Sequence, residues 1–242
     1  MCFVESLTMN TPLSDNSTPR PAERREHLAG NSLNPRGIDV NEYVEFLKAF
    51  LRRPGAVGAI CPSSRSLAEE MVRGLSLDAA DSVVEIGAGS GSFTEIILEK
   101  IGEKTTFVAL ELDANQVRNL RHRFPSALIY HDSAERMVEC LAPHGKSRAQ
   151  YIISGLPWAS LEAAVQKLIM EALLKCLATD GVFTTFAYVH ACKLPKARRF
   201  RSTLERHFGR VEVSPVVWKN IPPAFVYRCS KPKGNSSSEV GA

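Results

Sequence analysis

Three closely spaced glycines follow a β-branched run near residue 85 of this 242-residue chain. The run Val83–Ile86 continues as Gly87-Ala88-Gly89-Ser90-Gly91, an order typical of a strand, a tight turn and a helix. Glycines permit positive φ and let the backbone approach a bound molecule, while the following helix presents free N–H groups. The spacing therefore predicts a ligand-binding loop.

The residues of this loop distinguish two classes of cofactor. A dinucleotide fingerprint, G-x-G-x-x-G, needs its third glycine at position 92, which is Ser92. The carboxylate of Glu85 would repel a pyrophosphate, but it suits the ammonium group of a methionine moiety. The loop therefore favours S-adenosylmethionine (SAM) over a nicotinamide dinucleotide.

Acidic residues at the ends of two later apolar runs extend the candidate site. Glu111 lies about 20 residues after the loop, where a carboxylate can accept hydrogen bonds from both ribose hydroxyls. Asp132 can accept one from the adenine amino group, with its neighbours supplying backbone contacts. The predicted cofactor contacts are Glu85, Gly87, Ala88, Gly89, Gly91, Glu111, Leu112, Asp132, Ser133 and Ser154.

Short apolar runs alternate with helix-like segments around these positions. The predicted strands are Ser82–Ile86, Thr106–Leu110, Ala127–Tyr130, Tyr151–Ser154 and Val182–Tyr188. The segment Glu162–Ala178 has one apolar face at helical spacing, and Gly181 follows as a stop signal. This alternation predicts an α/β fold with a doubly wound, mostly parallel sheet.

The composition, 44% hydrophobic and 23% charged, is sufficient for one core. Residues 1–38 and 231–242 are polar and lack periodicity, which predicts disordered tails around a domain at 39–230. Its first part, 39–78, is predicted as a helical flank with helices at Val40–Arg53 and Ser64–Leu75.

The six cysteines form no C-x-x-C pair, so we expect no metal site. No apolar run approaches the roughly 20 residues of a membrane span.

Several of these motifs resemble the class I SAM-dependent methyltransferases. The resemblance rests on E-x-G-x-G-x-G from Glu85, on Glu111 and on His131-Asp132-Ser133-Ala134. It implies a Rossmann-like sheet of seven strands with the last one antiparallel, which Val211–Val217 and Ala224–Cys229 would complete. Ser154-Gly155-Leu156-Pro157-Trp158 resembles the Asn-Leu-Pro-Tyr motif of the rRNA adenine dimethyltransferases, although Gly155 lacks the side-chain carbonyl that accepts the target amine.

A second resemblance covers about residues 43–230 and is to the bacterial phospholipid N-methyltransferases. Its motifs lie on both sides of the shared core: Phe46-Leu47 to Arg53-Pro54, Val57-Gly58-Ala59-Ile60, Pro62-Ser63-Ser64, Ser154-Gly155-Leu156-Pro157 and Asn220-Ile221-Pro222-Pro223-Ala224. It implies methylation of phosphatidylethanolamine toward phosphatidylcholine by a cytoplasmic enzyme at the inner membrane surface. Trp158, and Val189-His190 after Tyr188, depart from that pattern.

The acceptor chemistry follows from what methyl transfer requires. An in-line displacement needs alignment rather than a covalent intermediate, and an amine acceptor must first lose its proton. Tyr188 and His190 are the candidate proton acceptors, Ser154 is a candidate hydrogen-bond acceptor, and Trp158 can hold a methylated headgroup by cation–π attraction. Each of these four also has an ordinary packing or surface explanation.

Two basic segments predict a polyanionic partner. Val40–Arg53 is amphipathic and ends in Arg52-Arg53, as an interfacial helix does, although it also suits a helix docked on the domain. The segment Lys193–Arg210 carries seven basic residues opposed locally by Glu205, and attracts lipid headgroups or RNA phosphates alike. An rRNA or other nucleic-acid adenine methyltransferase, a small-molecule N- or O-methyltransferase and a non-catalytic SAM-binding partner subunit therefore remain as alternatives.

Overall fold

The computed structural model describes residues 63–233, so the predicted tail at 1–38, the helix at Val40–Arg53 and most of the predicted tail at 231–242 lie outside the described residues. The predicted start of the C-terminal tail is wrong, because the last strand continues to Pro232. The helices are α1 (Arg65–Val72), α2 (Ser92–Lys100), α3 (Ala114–Arg123), α4 (Met137–Leu141), α5 (Ala163–Cys176) and α6 (Pro195–His207). The strands are β1 (Ser82–Ile86), β2 (Thr106–Glu111), β3 (Leu128–His131), β4 (Ala149–Ser154), β5 (Leu177–Tyr188), β6 (Phe208–Val213) and β7 (Ala224–Pro232). Short 3-10 turns include Trp158–Ser160 and Val189–Ala191.

The seven strands form one sheet in the order β3-β2-β1-β4-β5-β7-β6. Strands β1 to β5 pair in parallel, whereas β7 runs antiparallel to both β5 and β6. All five residues of β1 are buried, so both faces of the sheet are covered. The predicted doubly wound, mostly parallel sheet with an antiparallel last strand is confirmed.

This strand order creates a crevice beside β1. The chain proceeds outward from β1 to β3 and then returns to β4 on the opposite side of β1. Ligands bind at such a reversal, outside the carboxyl ends of the strands. The segments that follow β1 and β4 begin at Gly87 and Gly155, and the Gly155 amide donates to the Ile86 carbonyl at 2.9 Å.

Most predicted strands agree with the structure within a few residues, but the C-terminal elements differ. The predicted strand Val211–Val217 is wrong in its bounds, since β6 spans Phe208–Val213. The ladder ends at Ser214, whose Oγ accepts from the Val226 amide at 2.9 Å in place of a backbone carbonyl. Gly181 is not the stop signal of α5, because that helix ends at Cys176 and Gly181 lies within β5.

Helix α1 belongs to the same core as the sheet. Its first turn is capped by Ser64, whose Oγ accepts from the Leu67 amide at 3.2 Å. Leu67 and Met71 are fully buried in the cluster that contains residues of β1, β2 and α2. Arg228 of β7 forms an ion pair with the buried Glu70 at 2.7 Å, so α1 also contacts β7.

Candidate cofactor and acceptor site

A cavity of about 320 Å³ opens at the carboxyl ends of β1 and β4, where the strand order reverses. The glycine loop and Glu111 line one half, which we call the cofactor half. The other half is lined by residues after β4, at the end of β5 and on α6, and we call it the acceptor half. Of the predicted site residues, the cavity brings together Gly87, Ala88, Gly89, Glu111, Trp158, Tyr188 and His190.

The glycines of the loop have different structural roles. Gly89 has φ +54°, and a Cβ built there would meet no atom within 4 Å, so this glycine borders open space. Gly91 has φ +83° and begins α2, and a Cβ there would lie 2.8 Å from Leu120 of α3. Gly91 therefore permits close packing of two helices, while Gly89 leaves room for a ligand.

Glu111 fixes the shape of this loop. Its two carboxylate oxygens each accept a backbone hydrogen bond, one from the Gly89 amide at 2.8 Å and one from the Asp113 amide at 2.8 Å. The residue is 3% exposed, and burial raises the pKa of its carboxyl. A carboxylate has about four lone-pair sites, so it retains acceptor capacity that a ribose hydroxyl could use.

Glu85 lies beneath the loop and does not line the cavity. Its Oε2 accepts from the Thr94 hydroxyl at 2.7 Å, while its Oε1 is buried without a hydrogen-bond partner. Burial raises the pKa of this carboxyl to about 8. A nearby positive charge stabilises the ionised form of a buried carboxyl whose oxygen lacks a hydrogen bond. The sulfonium and ammonium groups of SAM would supply such a charge.

The predicted adenine contacts lie beside the cavity. Asp132 accepts from the Ser133 amide at 2.8 Å and pairs with Arg136 at 3.7 Å. Asp132, Ser133 and Leu112 do not line the cavity, and the carbonyl of Leu112 contacts His131 Nε2 at 3.0 Å. Their cofactor contacts stay predictions.

Ser154, the last residue of β4, and Trp158, just after it, differ from what their predicted roles require. Ser154 is fully buried, and its Oγ accepts from Trp158 Nε1 at 2.9 Å and from the Leu156 amide. Ser154 therefore orients the tryptophan and does not line the cavity. Trp158 borders the cavity but is 2% exposed, with Phe200 stacked on its indole at 5.1 Å and 16°. The prediction that Trp158 holds a methylated headgroup by cation–π attraction is therefore wrong for this conformation, because the face of the indole is covered.

Gly155 lies where the segment after β4 packs against the glycine loop after β1. A Cβ at this position would lie 2.3 Å from the carbonyl oxygen of Gly87, a distance that real side chains do not adopt. A side-chain amide cannot be accommodated here without displacing the glycine loop. The polar acceptor of adenine methyltransferases is therefore absent for a steric reason.

Tyr188 and His190 lie together at the outer end of β5. Their rings stack with centroids 5.7 Å apart and planes at 18°, and both line the acceptor half. The Tyr188 ring also contacts Phe186 edge to face at 5.4 Å. The tyrosine is half-buried and the histidine exposed, so this pair lies between the cavity and solvent. Their role as proton acceptors stays a prediction.

Sequence reasoning missed several residues of the cavity. Gln116 adds a polar side chain from the first turn of α3 to the cofactor half, and Phe200 and Tyr227 add aromatic surface to the acceptor half. Phe200 was detectable as the residue four positions before the buried Leu204 on an otherwise basic helix. Tyr227 had no such signal, because its place depends on the pairing of β7 with β5.

The comparisons with known proteins agree with this architecture. No family model matches the chain. The chain is similar to the ornithine lipid N-methyltransferase of Singulisphaera acidiphila, with 27% identity over 193 residues, which are 78% of this chain and 96% of that protein. The predicted resemblance to the lipid N-methyltransferases is confirmed.

Solved structures add evidence on the fold. An O-methyltransferase from Bacillus cereus in complex with SAH superposes with a TM-score of 0.53 at 15% identity, over 78% of this chain and 90% of that one. The CurJ carbon methyltransferase superposes with a TM-score of 0.53 at 14% identity, over 70% of this chain and 54% of that one. These structures confirm the predicted Rossmann-like fold. Taken with the similarity to the ornithine lipid N-methyltransferase, the predictions of a SAM-dependent methyltransferase and of SAM as its cofactor are confirmed.

Within residues 63–233, no three His, Cys, Asp or Glu side chains converge as metal ligands. Burial raises the pKa of Cys140 to about 12 and that of Cys176 to about 11, so both thiols are protonated at neutral pH. No helix in the same part of the chain is long and apolar enough to cross a membrane.

Proposed function

We propose that this methyltransferase transfers methyl groups from SAM to the amine of a lipid headgroup. Phosphatidylethanolamine is the acceptor implied by the sequence motifs, and the similarity to an ornithine lipid N-methyltransferase supports an amino-lipid as the substrate class. The observation that carries the proposal is the aromatic and apolar wall of the acceptor half, formed by Trp158, Phe186, Tyr188, Phe200 and Tyr227.

This wall suits an aliphatic amine better than a nucleobase. Position 155 has no space for the side-chain amide that would hold an adenine amino group, and the Ser154 hydroxyl is occupied with Trp158. Aromatic faces attract ammonium groups, and the attraction remains when methylation makes the charge permanent. The residues present therefore favour successive methylation of one headgroup.

The proposed chemistry requires little from the protein beyond alignment and proton removal. Bound SAM would supply a methyl group on a sulfonium; in-line attack by the amine lone pair on the methyl carbon would break the C–S bond and release the neutral thioether S-adenosylhomocysteine. The apolar wall lowers the pKa of the bound ammonium by desolvation, which favours the reactive neutral amine. The Tyr188–His190 pair accepts the proton and, because His190 is exposed, releases it to solvent.

The test is transfer of a labelled methyl group to defined acceptors. The purified full chain is incubated with methyl-labelled SAM and with vesicles containing phosphatidylethanolamine, vesicles containing ornithine lipid, ribosomal RNA or no acceptor. Label in either lipid is the expected result, and the two lipid arms identify the headgroup. Label in RNA alone would overturn the proposal.

Variants of the Tyr188–His190 pair test the proton transfer. Tyr188→Phe and His190→Gln should lower kcat and move the pH–rate profile to higher pH, because the amine must then lose its proton to water. His122→Gln, an exposed histidine on α3, is the matched control. An unchanged pH profile in both site variants would remove these residues from the mechanism.

A further inference from the structure

Two large apolar side chains are exposed on a single loop between β6 and β7. Trp218 is 71% exposed and Ile221 is 77% exposed, and Leu194, just before α6, is 53% exposed. Most large aromatic side chains are well buried in folded domains. Three exposed large apolar side chains on two segments indicate a surface that binds a partner molecule or a membrane.

Hydrogen bonds hold the loop between β6 and β7 in place. Asn220, which lies between Trp218 and Ile221, is 3% exposed. Its Oδ1 accepts from the Ser64 amide at 2.9 Å, and its Nδ2 donates to the Pro222 carbonyl at 2.7 Å. Because Asn220 is anchored inward, the apolar residues on either side of it are displayed outward.

Both segments border the mouth of the acceptor half. The Val189 amide donates to the Pro223 carbonyl at 2.9 Å, so the loop meets the segment after β5. His190, Ala191 and Ala197 on that segment and on α6 line the cavity. The segments that carry the exposed apolar residues are therefore in contact with, or continuous with, segments that line the cavity.

The charge around these residues is strongly positive. Residues 189–223 contain eight Lys and Arg against two Glu. Each glutamate is already paired, Glu205 with Arg201 at 2.9 Å and Glu212 with Arg210 at 2.7 Å. Six cations form no ion pair within residues 63–233: Lys193, Lys196, Arg198, Arg199, Arg206 and Lys219.

We propose that Trp218, Ile221 and Leu194 form a docking surface that inserts into an anionic lipid bilayer at the level of its headgroups. Arg206 is not part of it, because it lies near the end of α6 where β6 begins, at the opposite end of the sheet. The other five cations lie within five residues of Leu194 or next to Trp218, and we include them in the surface: Lys193, Lys196, Arg198, Arg199 and Lys219. This inference rests on the proposed function, because a docked enzyme benefits from this surface only if its methyl acceptor is a lipid in that bilayer. Tryptophan is favoured at the membrane interface, and branched aliphatic side chains insert below it. Each cation near an anionic surface raises affinity about fivefold.

A nucleic acid would use the cations but would gain nothing from Ile221 and Leu194. The combination of apolar tips with surrounding cations therefore favours a bilayer over RNA. Docking in this orientation directs the acceptor half toward the headgroups, so the amine reaches the cavity without extraction of the whole lipid.

Tryptophan fluorescence gives a direct test, because the chain has two tryptophans and one of them, Trp158, is 2% exposed. Anionic phosphatidylglycerol vesicles added to the full chain should shift the Trp218 emission to shorter wavelength and protect it from acrylamide. The shift should vanish in Trp218→Phe. This readout is local to the loop, so binding through another part of the chain does not produce it.

Vesicle affinity is measured in parallel by co-sedimentation. Trp218→Ala with Ile221→Ser should lower the vesicle partition coefficient about tenfold or more. Leu128→Ser, at the partly exposed Leu128 on the opposite edge of the sheet, is the matched control. Absence of the blue shift with anionic vesicles, or a blue shift produced by RNA or by raised protein concentration alone, would overturn the docking surface.

The outcomes separate this inference from the proposed function. If the chain methylates a lipid, the Trp218→Ala/Ile221→Ser variant should keep its activity on a monomeric short-chain aminolipid and lose activity on vesicles. A blue shift without methylation of any lipid would retain the docking surface and refute the proposed acceptor. Equal loss on monomeric and vesicle substrates would refute the docking role.

Discussion

The buried Glu85 carboxyl makes the stability of this fold depend on pH in an unusual direction. Its pKa is raised from 4.5 to about 8, chiefly by burial, so the folded protein keeps a proton that the unfolded chain has already lost above pH 4.5. Between these two pKa values the free energy of unfolding falls by about 1.4 kcal/mol per pH unit. Glu85 alone therefore costs about 4 kcal/mol of stability as the pH rises from 4.5 to 8.

Glu85→Gln removes this ionisation while keeping the size of the side chain and the acceptor for Thr94. Urea unfolding without cofactor at several values between pH 5 and pH 8.5 should show a variant that is less stable than wild type at the acid end. The new amide NH2 has no partner at the position of Oε1, which costs roughly 1 to 3 kcal/mol. Toward pH 8 the difference should shrink and then reverse, because wild type loses stability that the variant retains.

Glu95→Gln is the matched control, since Glu95 is an exposed glutamate on the same helix as Thr94. It should follow the pH dependence of wild type. A difference between Glu85→Gln and wild type that stays constant from pH 5 to pH 8.5 would refute the reasoning, because Glu85 would then be ionised over the whole range.

Three further predictions concern cofactor binding. Glu111→Ala removes the acceptors of the Gly89 and Asp113 amides, and calorimetric titration should show SAM affinity reduced about tenfold or more; undiminished affinity would mean that Glu111 does not shape the site. Gly155→Asn should lower the melting temperature and SAM affinity without creating adenine methylation, because its Cβ meets the Gly87 carbonyl at 2.3 Å; a stable variant that methylates RNA would contradict this. Binding of SAM near pH 7.5 should release protons, since its positive charges lower the raised pKa of Glu85; equal binding enthalpies in buffers of different ionisation enthalpy would disprove it.

The sequence predicts the glycine loop and Glu111 because their signals are local. Gly87, Gly89 and Gly91 follow one strand, and Glu111 ends the next, so the order of strands brings them together without further information. The burial of Glu85 and the Ser154–Trp158 hydrogen bond have no comparable signal, because they depend on how close neighbouring segments approach. The acceptor half was the harder part, since Tyr227 reaches it through antiparallel pairing of residues far apart in the chain.

Helix α6 links the proposed catalysis to the proposed docking. Ala197 and Phe200 on one side of the helix line the acceptor half, while Lys196 and Arg199 are exposed to solvent. One rigid element thus presents an apolar wall to the headgroup and positive charge to the surface from which that headgroup comes. Substitutions on its exposed side should therefore raise KM for vesicles with little change in kcat, whereas a change at Phe200, which stacks on Trp158, should lower kcat on any acceptor.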